Sequence, residues 1–369
     1  MLCNIARHFF VFIAGVLLVT AGAPGATRAA DSLAWTNDQT MLAFFEAVTK
    51  IKKNALAAPS TADIVTGALK SYMRESDPYG NYLPPEAYRQ WKEAQQHAFH
   101  GVGMEIMERS GRFYCFPRPE SPAAKAGLQN SDELITVDGE SVVGCSIYWV
   151  GTRIRGRENS AVTLTVSRGS VRREVTVIRT ALKDNSVFRA DDSGLQILRI
   201  SHFSPVTLSE TKAALEKINR YLPLVLDLRN NPGGDLFSAV DIAGLFLPEN
   251  ADVLTIETAS EITEYKARNR IWRGGRIGIW QNGFTASAAE ILIAALITNH
   301  AALNFGTQSF GKALTQKVVN MSDGSALIIS RGRLKDPIGR CWQDTGITPM
   351  VRIPEENKYW VQLTQQHLK

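Results

Sequence analysis

The sequence predicts a layered α/β core preceded by a β-rich module and a helical N-terminal region. Three patterns carry that reading. Between residues 31 and 97, Met41, Leu42, Phe44, Phe45, Val48 and Ile51 recur at three- and four-residue intervals, the period of an amphipathic helix. Between 99 and 180, short strand-like segments take over, with an Asp138-Gly139 pair suited to a hairpin turn. After Thr180, apolar runs of buried-strand type alternate with helical stretches, the order of a layered α/β fold. A chain of 369 residues is too long for one ordinary core, and the divisions fall at 1–30, 31–98, 99–180 and 181–369.

Each element has a local reason. A second helix is expected over 61–74 with Ser60 or Thr61 as its cap. Asp77-Pro78-Tyr79-Gly80-Asn81 breaks it, and Pro84-Pro85-Glu86 opens another short helix. The module's strands are expected at 113–116, 133–137, 162–167 and 173–178. In the core, strands are expected at 196–200, 222–228 and 276–280, and helices at 208–221, 239–246 and 286–298.

The first thirty residues differ from the rest. Arg7 precedes an apolar run over 9–19, and small residues fill 20–30, the order of a secretory signal peptide. The run is about eleven residues, well short of the ~20 that span a bilayer. The expectation is an exported chain with no integral membrane span after signal cleavage; an uncleaved N-terminal anchor is the competing reading.

Composition narrows the class. Hydrophobic residues make up 44% and charged residues 21%, which suits a soluble globular protein and not a disordered one. The net charge of +5 is mild, and no aromatic residues interleave with the basic groups, so a nucleic-acid surface is not expected. Cys3 lies in the leader. Of Cys115, Cys145 and Cys341 at least one must lack an intramolecular partner, and Cys115 and Cys145 fall in one module where they could pair. The cysteines and six histidines show no metal-ligand spacing, so neither metal nor cofactor is expected.

Candidate chemistry centres on Asn282-Gly283-Phe284-Thr285-Ala286-Ser287-Ala288-Ala289-Glu290, where a buried strand ends and a helix begins. A serine there can present its hydroxyl at a helix N-terminus, where unpaired backbone N–H groups stabilise developing negative charge. Helix capping by Thr285 or Ser287 is the plainer alternative. Leu226-Asp227-Leu228-Arg229-Asn230-Asn231-Pro232-Gly233-Gly234 ends another strand in a glycine turn able to bring main-chain amides close to a reacting group. Ser309-Phe310-Gly311-Lys312 adds a lysine, with Gln316 four residues on. A buried lysine loses its proton more easily, and its neutral amine can serve as general base.

Together with Asp77-Pro78…Tyr82-Leu83, Gly101-Val102-Gly103-Met104-Glu105-Ile106, Ser121-Pro122-Ala123…Ala126-Gly127-Leu128, Asp132…Val137-Asp138-Gly139 and Gly346-Ile347-Thr348-Pro349, these segments form an ordered series. From residue 77 to 351 the series resembles the carboxyl-terminal processing proteases, serine endopeptidases with a crotonase-like α/β core and an embedded PDZ domain. The resemblance implies Ser287 as nucleophile, Lys312 as general base and Gln316 as the residue orienting its amine. It implies an oxyanion hole from the N–H of Ala288 and a second donor at Gly233 or Gly234. In the PDZ-like module, Gly101, Val102, Gly103 and Met104 match the loop that captures a terminal carboxylate. The next strand offers an edge to an extended peptide, with Met104 and Ile106 towards an apolar pocket. Protein or peptide substrates, an adaptor or activator, and a bacterial periplasmic location are further implications.

The chain also departs from the family pattern. Phe284 stands at a usual glycine, Thr285 and Ala289 at usual serines, Thr298 at a usual aspartate and Ala301 at a common arginine. Ser131 replaces a glycine of the PDZ turn, and Met350 an aspartate. These changes motivate a different class of function, a catalytically weak protease-fold protein that binds through its PDZ-like module. A third class, other acyl-transfer or lyase chemistry on the same core, finds no phosphate-cradling or adenine-binding signature to support it.

Overall fold

Helical periodicity and strand alternation resolve into two units in the computed structural model, which describes residues 38–96, 100–182, 184–356 and 358–368. The expected signal segment lies outside the described residues. Among the described residues, one unit contains those up to Tyr88 together with Gln316–Ser330; the other contains Arg89–Thr315 and those from Arg331 onward.

In the first unit, helices α1 (Gln39–Asn54) and α2 (Thr61–Ser76) precede strand β1 (Asn81–Leu83). Ser60 caps α2 with a reciprocal bond pattern: its Oγ accepts from Asp63 N at 3.1 Å, and its own N–H reaches the Asp63 carboxylate. Asp77, which ends α2, accepts from the Ser330 amide and hydroxyl at 2.7 and 2.8 Å. That anchors the turn into β1, which pairs antiparallel with residues 326–328. Helix α3 (Pro85–Gln96) leads the chain out of this unit.

The second unit holds the β-rich module and the core. The module is an antiparallel sheet of β2 (Met104–Arg109), β3 (Arg112–Pro117), β4 (Asp132–Val137), β5 (Ala161–Arg168) and β6 (Val171–Ile178), in that order, with β2 at one edge. Helix α4 (Ile147–Ile154) contributes Val150 and Ile154 to its interior. Every second residue of β5 faces that interior: Val162, Leu164 and Val166 are fully buried, as a period of two requires. Cys115 is buried there as a free thiol, and Cys341 is also free. The expected Cys115–Cys145 pairing is therefore not formed. Burial and the Asp132 charge push the Cys115 thiol strongly up, keeping it protonated.

The core sheet runs β7 (Val187–Asp192), β8 (Leu195–Ile200), β9 (Leu224–Asp227), β10 (Ile277–Gln281), β11 (Ala302–Gly306) and a short strand β13 (Val351–Arg352). Only the β7–β8 pair is antiparallel; β8 to β13 are parallel. Helices α5 (Thr207–Glu216), α6 (Leu236–Phe246), α7 (Ala288–Thr298) and α8 (Trp360–Leu368) accompany the sheet. Strand β12 (Leu314–Asn320) follows β11 but belongs to a different sheet. Helix α7 is buried from Ala288 to Leu296, which explains a sequence with no polar face; each fully buried Leu or Ile contributes ~1.5–3 kcal/mol. Two helix expectations shift. Helix α5 stops at Glu216 instead of 221, where turns lead to Pro223, and α6 starts at Leu236 because Asp235 caps it, accepting from Ser238 N at 2.6 Å. A parallel sheet gathers its loops at the carboxyl ends of its strands. The segments after β9, β10 and β11 carry Gly233 and Gly234, Ser287 and Ala288, and Lys312 respectively.

Candidate active site

Strand β10 ends at Gln281, and Ser287, beyond the turn that follows, caps α7 with φ 55° and ψ −117°. A side chain in that region of backbone space costs of order 1–3 kcal/mol and persists only where neighbours over-determine it. Those neighbours are identifiable. The Ser287 N–H donates to Glu290 Oε2 at 2.8 Å, and the Ala286 N–H donates to Asn231 O at 2.9 Å. The Thr285 hydroxyl donates to Leu228 O at 2.8 Å, so Thr285 sews this turn to the end of β9 and does not cap the helix. Asn230 and Asn282 exchange two further bonds, of 3.0 and 2.7 Å. The turn after β9 and the turn after β10 are one stitched assembly.

The two glycines of that assembly divide their work. Gly233 has φ 98°, and a Cβ on it would stand 2.8 Å from Ser287 Cβ and 2.9 Å from Ala288 N. Gly234 has φ 132°, and a Cβ there would fall 2.0 Å from the Phe203 carbonyl oxygen. Gly233 therefore faces Ser287 and Ala288, whereas Gly234 packs on Phe203. The Gly233 N–H donates to Asn231 Oδ1 at 2.8 Å in this arrangement. Ala288, the first residue of α7, offers an N–H that no intrahelical acceptor can satisfy.

The segment after β11 brings in Lys312, which is 7% exposed against 1% for Ser287. What holds it is Glu290, a residue the sequence displayed without marking as functional. Its Oε1 accepts from the Ser309 hydroxyl at 2.6 Å and the Gly311 N–H at 2.8 Å; its Oε2 accepts from Ser287 N and, at 2.9 Å, from Lys312 N. The available signal was an acid in the first turn of an otherwise apolar helix. Burial pushes this carboxyl up to about 7, against the pull of those four donors. Gly311 (φ 94°) and Gly346 (φ 68°) are needed because Cβ atoms there would meet Gly346 N at 2.8 Å and Ser309 O at 2.4 Å. Gln316 is buried on β12 in the first unit, where its Nε2 donates to Tyr79 O.

The module's predicted ligand loop is held by bonds within the module and to residue 180. The Val102 carbonyl accepts from Ala123 N, and Gly103 (φ 70°) accepts from Arg118 N, each at 2.9 Å. Gly101 pairs with Thr180, Met104 begins edge strand β2, and Ile106 is buried in the module core. The β2–β3 hairpin instead touches the Ser287 segment through aromatic groups. Phe284 packs on Tyr114 and Phe116 at ring separations of 5.4 and 4.8 Å, and Arg109 donates to Gly283 O at 3.3 Å. Phe284 is one of the departures from the family pattern, and this contact is its structural reason.

Residues 194–353 match the family model described as Peptidase family S41. Over those residues the chain is similar to peptidase family S41. It is 30% identical over 310 residues to a probable CtpA-like serine protease of Staphylococcus epidermidis, covering 82% of the chain and 63% of that relative. A protein of the same description from Staphylococcus aureus is 31% identical over 324 residues, with 86% and 65% covered. The chain thus spans a little under two thirds of the length of these relatives. Among solved structures, the photosystem II D1 C-terminal processing protease matches the chain with a TM-score of 0.69 and 26% identity, over 87% of this chain and 88% of that one.

Proposed function

We propose that this chain is a serine endopeptidase in which Ser287 is the nucleophile and Lys312 the general base. The observation that carries the proposal is the sharing of Glu290 by the amides of Ser287 and Lys312, at the N-terminus of α7 and beside Gly233. The match of residues 194–353 to peptidase family S41 supports the same reading. In the first step the neutral Lys312 amine takes the Ser287 hydroxyl proton as the oxygen bonds to the substrate carbonyl carbon. The Ala288 N–H stabilises the oxyanion, a contribution worth about 10²–10³ in rate for one donor. Lys312 then returns the proton to the leaving amine, and water activated by Lys312 hydrolyses the ester. Gln316 as the partner of Lys312 rests on the resemblance alone.

The finer reading is a crotonase-like core with a PDZ-like module, in which the loop from Gly101 to Met104 captures a substrate's terminal carboxylate and β2 accepts an extended peptide along its edge. The position of β2 at the sheet edge supports this. Substrates are then proteins or peptides with apolar C-termini, in an exported, periplasmic setting. The test is cleavage of casein and of a fluorogenic peptide with an apolar C-terminus by wild type, Ser287→Ala and Lys312→Ala, with mass spectrometry of the fluorophosphonate adduct. Cleavage lost in both variants and an adduct on Ser287 are expected; cleavage that survives Ser287→Ala would refute the assignment.

A further inference from the structure

The loop after β8 contains a buried imidazole with no place in the mechanism above. His202 is 1% exposed. Its Nε2 lies 2.9 Å from Asp184 Oδ1, and its Nδ1 lies 3.0 Å from the Ser201 hydroxyl. The Ser201 hydroxyl is also 3.2 Å from the Ser186 carbonyl, whose oxygen accepts the Ser201 N–H at 2.9 Å. Serine, histidine and aspartate in contact suggest a second hydrolytic centre, but this hydroxyl is buried and turned to the Ser186 carbonyl. Holding the loop in place is the arrangement's evident work.

What the loop holds is the turn opposite Ser287. Ile200 O accepts from Asn231 Nδ2 at 2.8 Å, Phe203 N donates to Gly233 O at 2.8 Å, Phe203 O accepts from Asp235 N at 2.9 Å, and Ser204 O accepts from Ser238 Oγ at 2.6 Å. These four bonds fasten residues 231–238 to residues 200–204, and His202 stands in the middle of that run. A buried imidazole satisfied at both ring nitrogens cannot rotate without leaving a buried polar atom unpaired. Asp184 is itself held: Arg118 Nη1 lies 3.8 Å from it, and Arg118 chelates Glu105 at 2.6 and 3.0 Å.

We infer that His202 is a positioning residue for the oxyanion turn. Pinned by Asp184 and Ser201, it fixes the Phe203 backbone, and Phe203 fixes Gly233 against Ser287 and Ala288. The inference rests on the peptidase reading given above. It touches neither substrate nor the reacting atoms, so its effect belongs to transition-state stabilisation and not to substrate binding.

The experiment uses the full chain, with kcat and KM on the fluorogenic peptide and the inhibition constant of a peptide boronic acid, which forms a tetrahedral adduct with the nucleophile. His202→Ala is expected to lower kcat about ten- to a hundredfold, the effect of a small misplacement. KM should stay within about threefold, and boronate affinity should fall in parallel with kcat, because only the tetrahedral species uses the oxyanion hole. His202→Gln, whose amide can still reach a partner, should recover most of the loss. Asp184→Asn should reproduce the Ala phenotype, and combining it with His202→Ala should add little. If His202→Ala does not fold, Asp184→Asn carries the same test. An unchanged kcat in any folded His202→Ala or Asp184→Asn protein overturns the inference. So does a loss of kcat and KM alike that follows the thermal midpoint and spares boronate affinity. A wild-type chain without Ser287-dependent cleavage overturns the peptidase reading, and this inference with it; an active wild type with indifferent variants overturns the inference alone.

Discussion

Ser287 and Lys312 donate their backbone N–H groups to the same oxygen atom, Oε2 of Glu290, at 2.8 and 2.9 Å. One carboxylate thereby sets the spacing of two segments that leave different strands of the sheet. The other oxygen binds Ser309 and Gly311, so that three of the carboxylate's four bonds tie the residue 309–312 segment to helix α7 and the fourth fixes Ser287 at its N-terminus.

Glu290→Gln is expected to lower kcat by about a hundredfold, since an amide nitrogen would face two N–H donors in place of an acceptor and displace both segments. Steady-state kinetics checks this, with circular dichroism as the control for folding.

The same carboxyl makes activity and stability respond oppositely to pH. Burial raises it to about 7 in the folded chain, from an ordinary value of 4.5. Between those values the folded state binds the proton more readily, so this group's stabilising contribution is fully present below 4.5 and is lost as pH rises through 7. Protonation also removes an acceptor from the four donors, so peptidase activity should fall as pH drops below about 7. Urea titrations across pH 4.5–8 on wild type and Glu290→Gln isolate the stability trend as their difference; a difference that grows in the wild type's favour with pH would contradict it.

Gly233→Ala and Gly234→Ala should fail differently. A Cβ at Gly233 crowds Ser287 and the Ala288 N–H, so the variant should fold yet lose at least about a hundredfold in kcat. At Gly234 the clash is with the Phe203 carbonyl, backbone against backbone, and the expected result is a lowered melting temperature or no soluble protein. Thermal melts beside kinetics separate the two.

Trp360 should matter for the turn after β9. The Arg229 guanidinium lies 4.6 Å from the Trp280 ring centre and 4.7 Å from that of Trp360, while binding Asp227 through two bonds of 2.8 and 2.7 Å. Trp360→Ala should cost about 3–5 kcal/mol by urea denaturation, and Trp360→Phe clearly less, since a smaller ring retains part of the stack.

Phe284→Ala should loosen the β2–β3 hairpin from the Ser287 segment. Its aromatic contacts with Tyr114 and Phe116 are worth about 0.5–1.5 kcal/mol each beyond area burial. Hydrogen exchange of residues 104–117 should accelerate in the variant. Unchanged exchange would show that other contacts hold the hairpin.

Local chemistry made much of this protein legible before folding. Apolar runs at 222–228 and 276–280 announced buried strands, Asp138-Gly139 announced a hairpin, and the small residues before Ala288 announced a strand-to-helix turn with Ser287 at its edge. All of these depend on residues within a few positions of one another, where period, turn chemistry and capping act. Long-range pairing is a different matter. Thr285 was open as a helix cap until the fold brought Leu228 O to its hydroxyl, 57 positions away. Gly233 and Gly234 were equivalent until Ala288 and Phe203 stood beside them. Glu290 read as one acid in an apolar helix until Ser309, Gly311 and Lys312 closed around it, and His202 carried no signal at all. A buried polar group is worth what its partners are worth, and those partners are chosen by the tertiary fold.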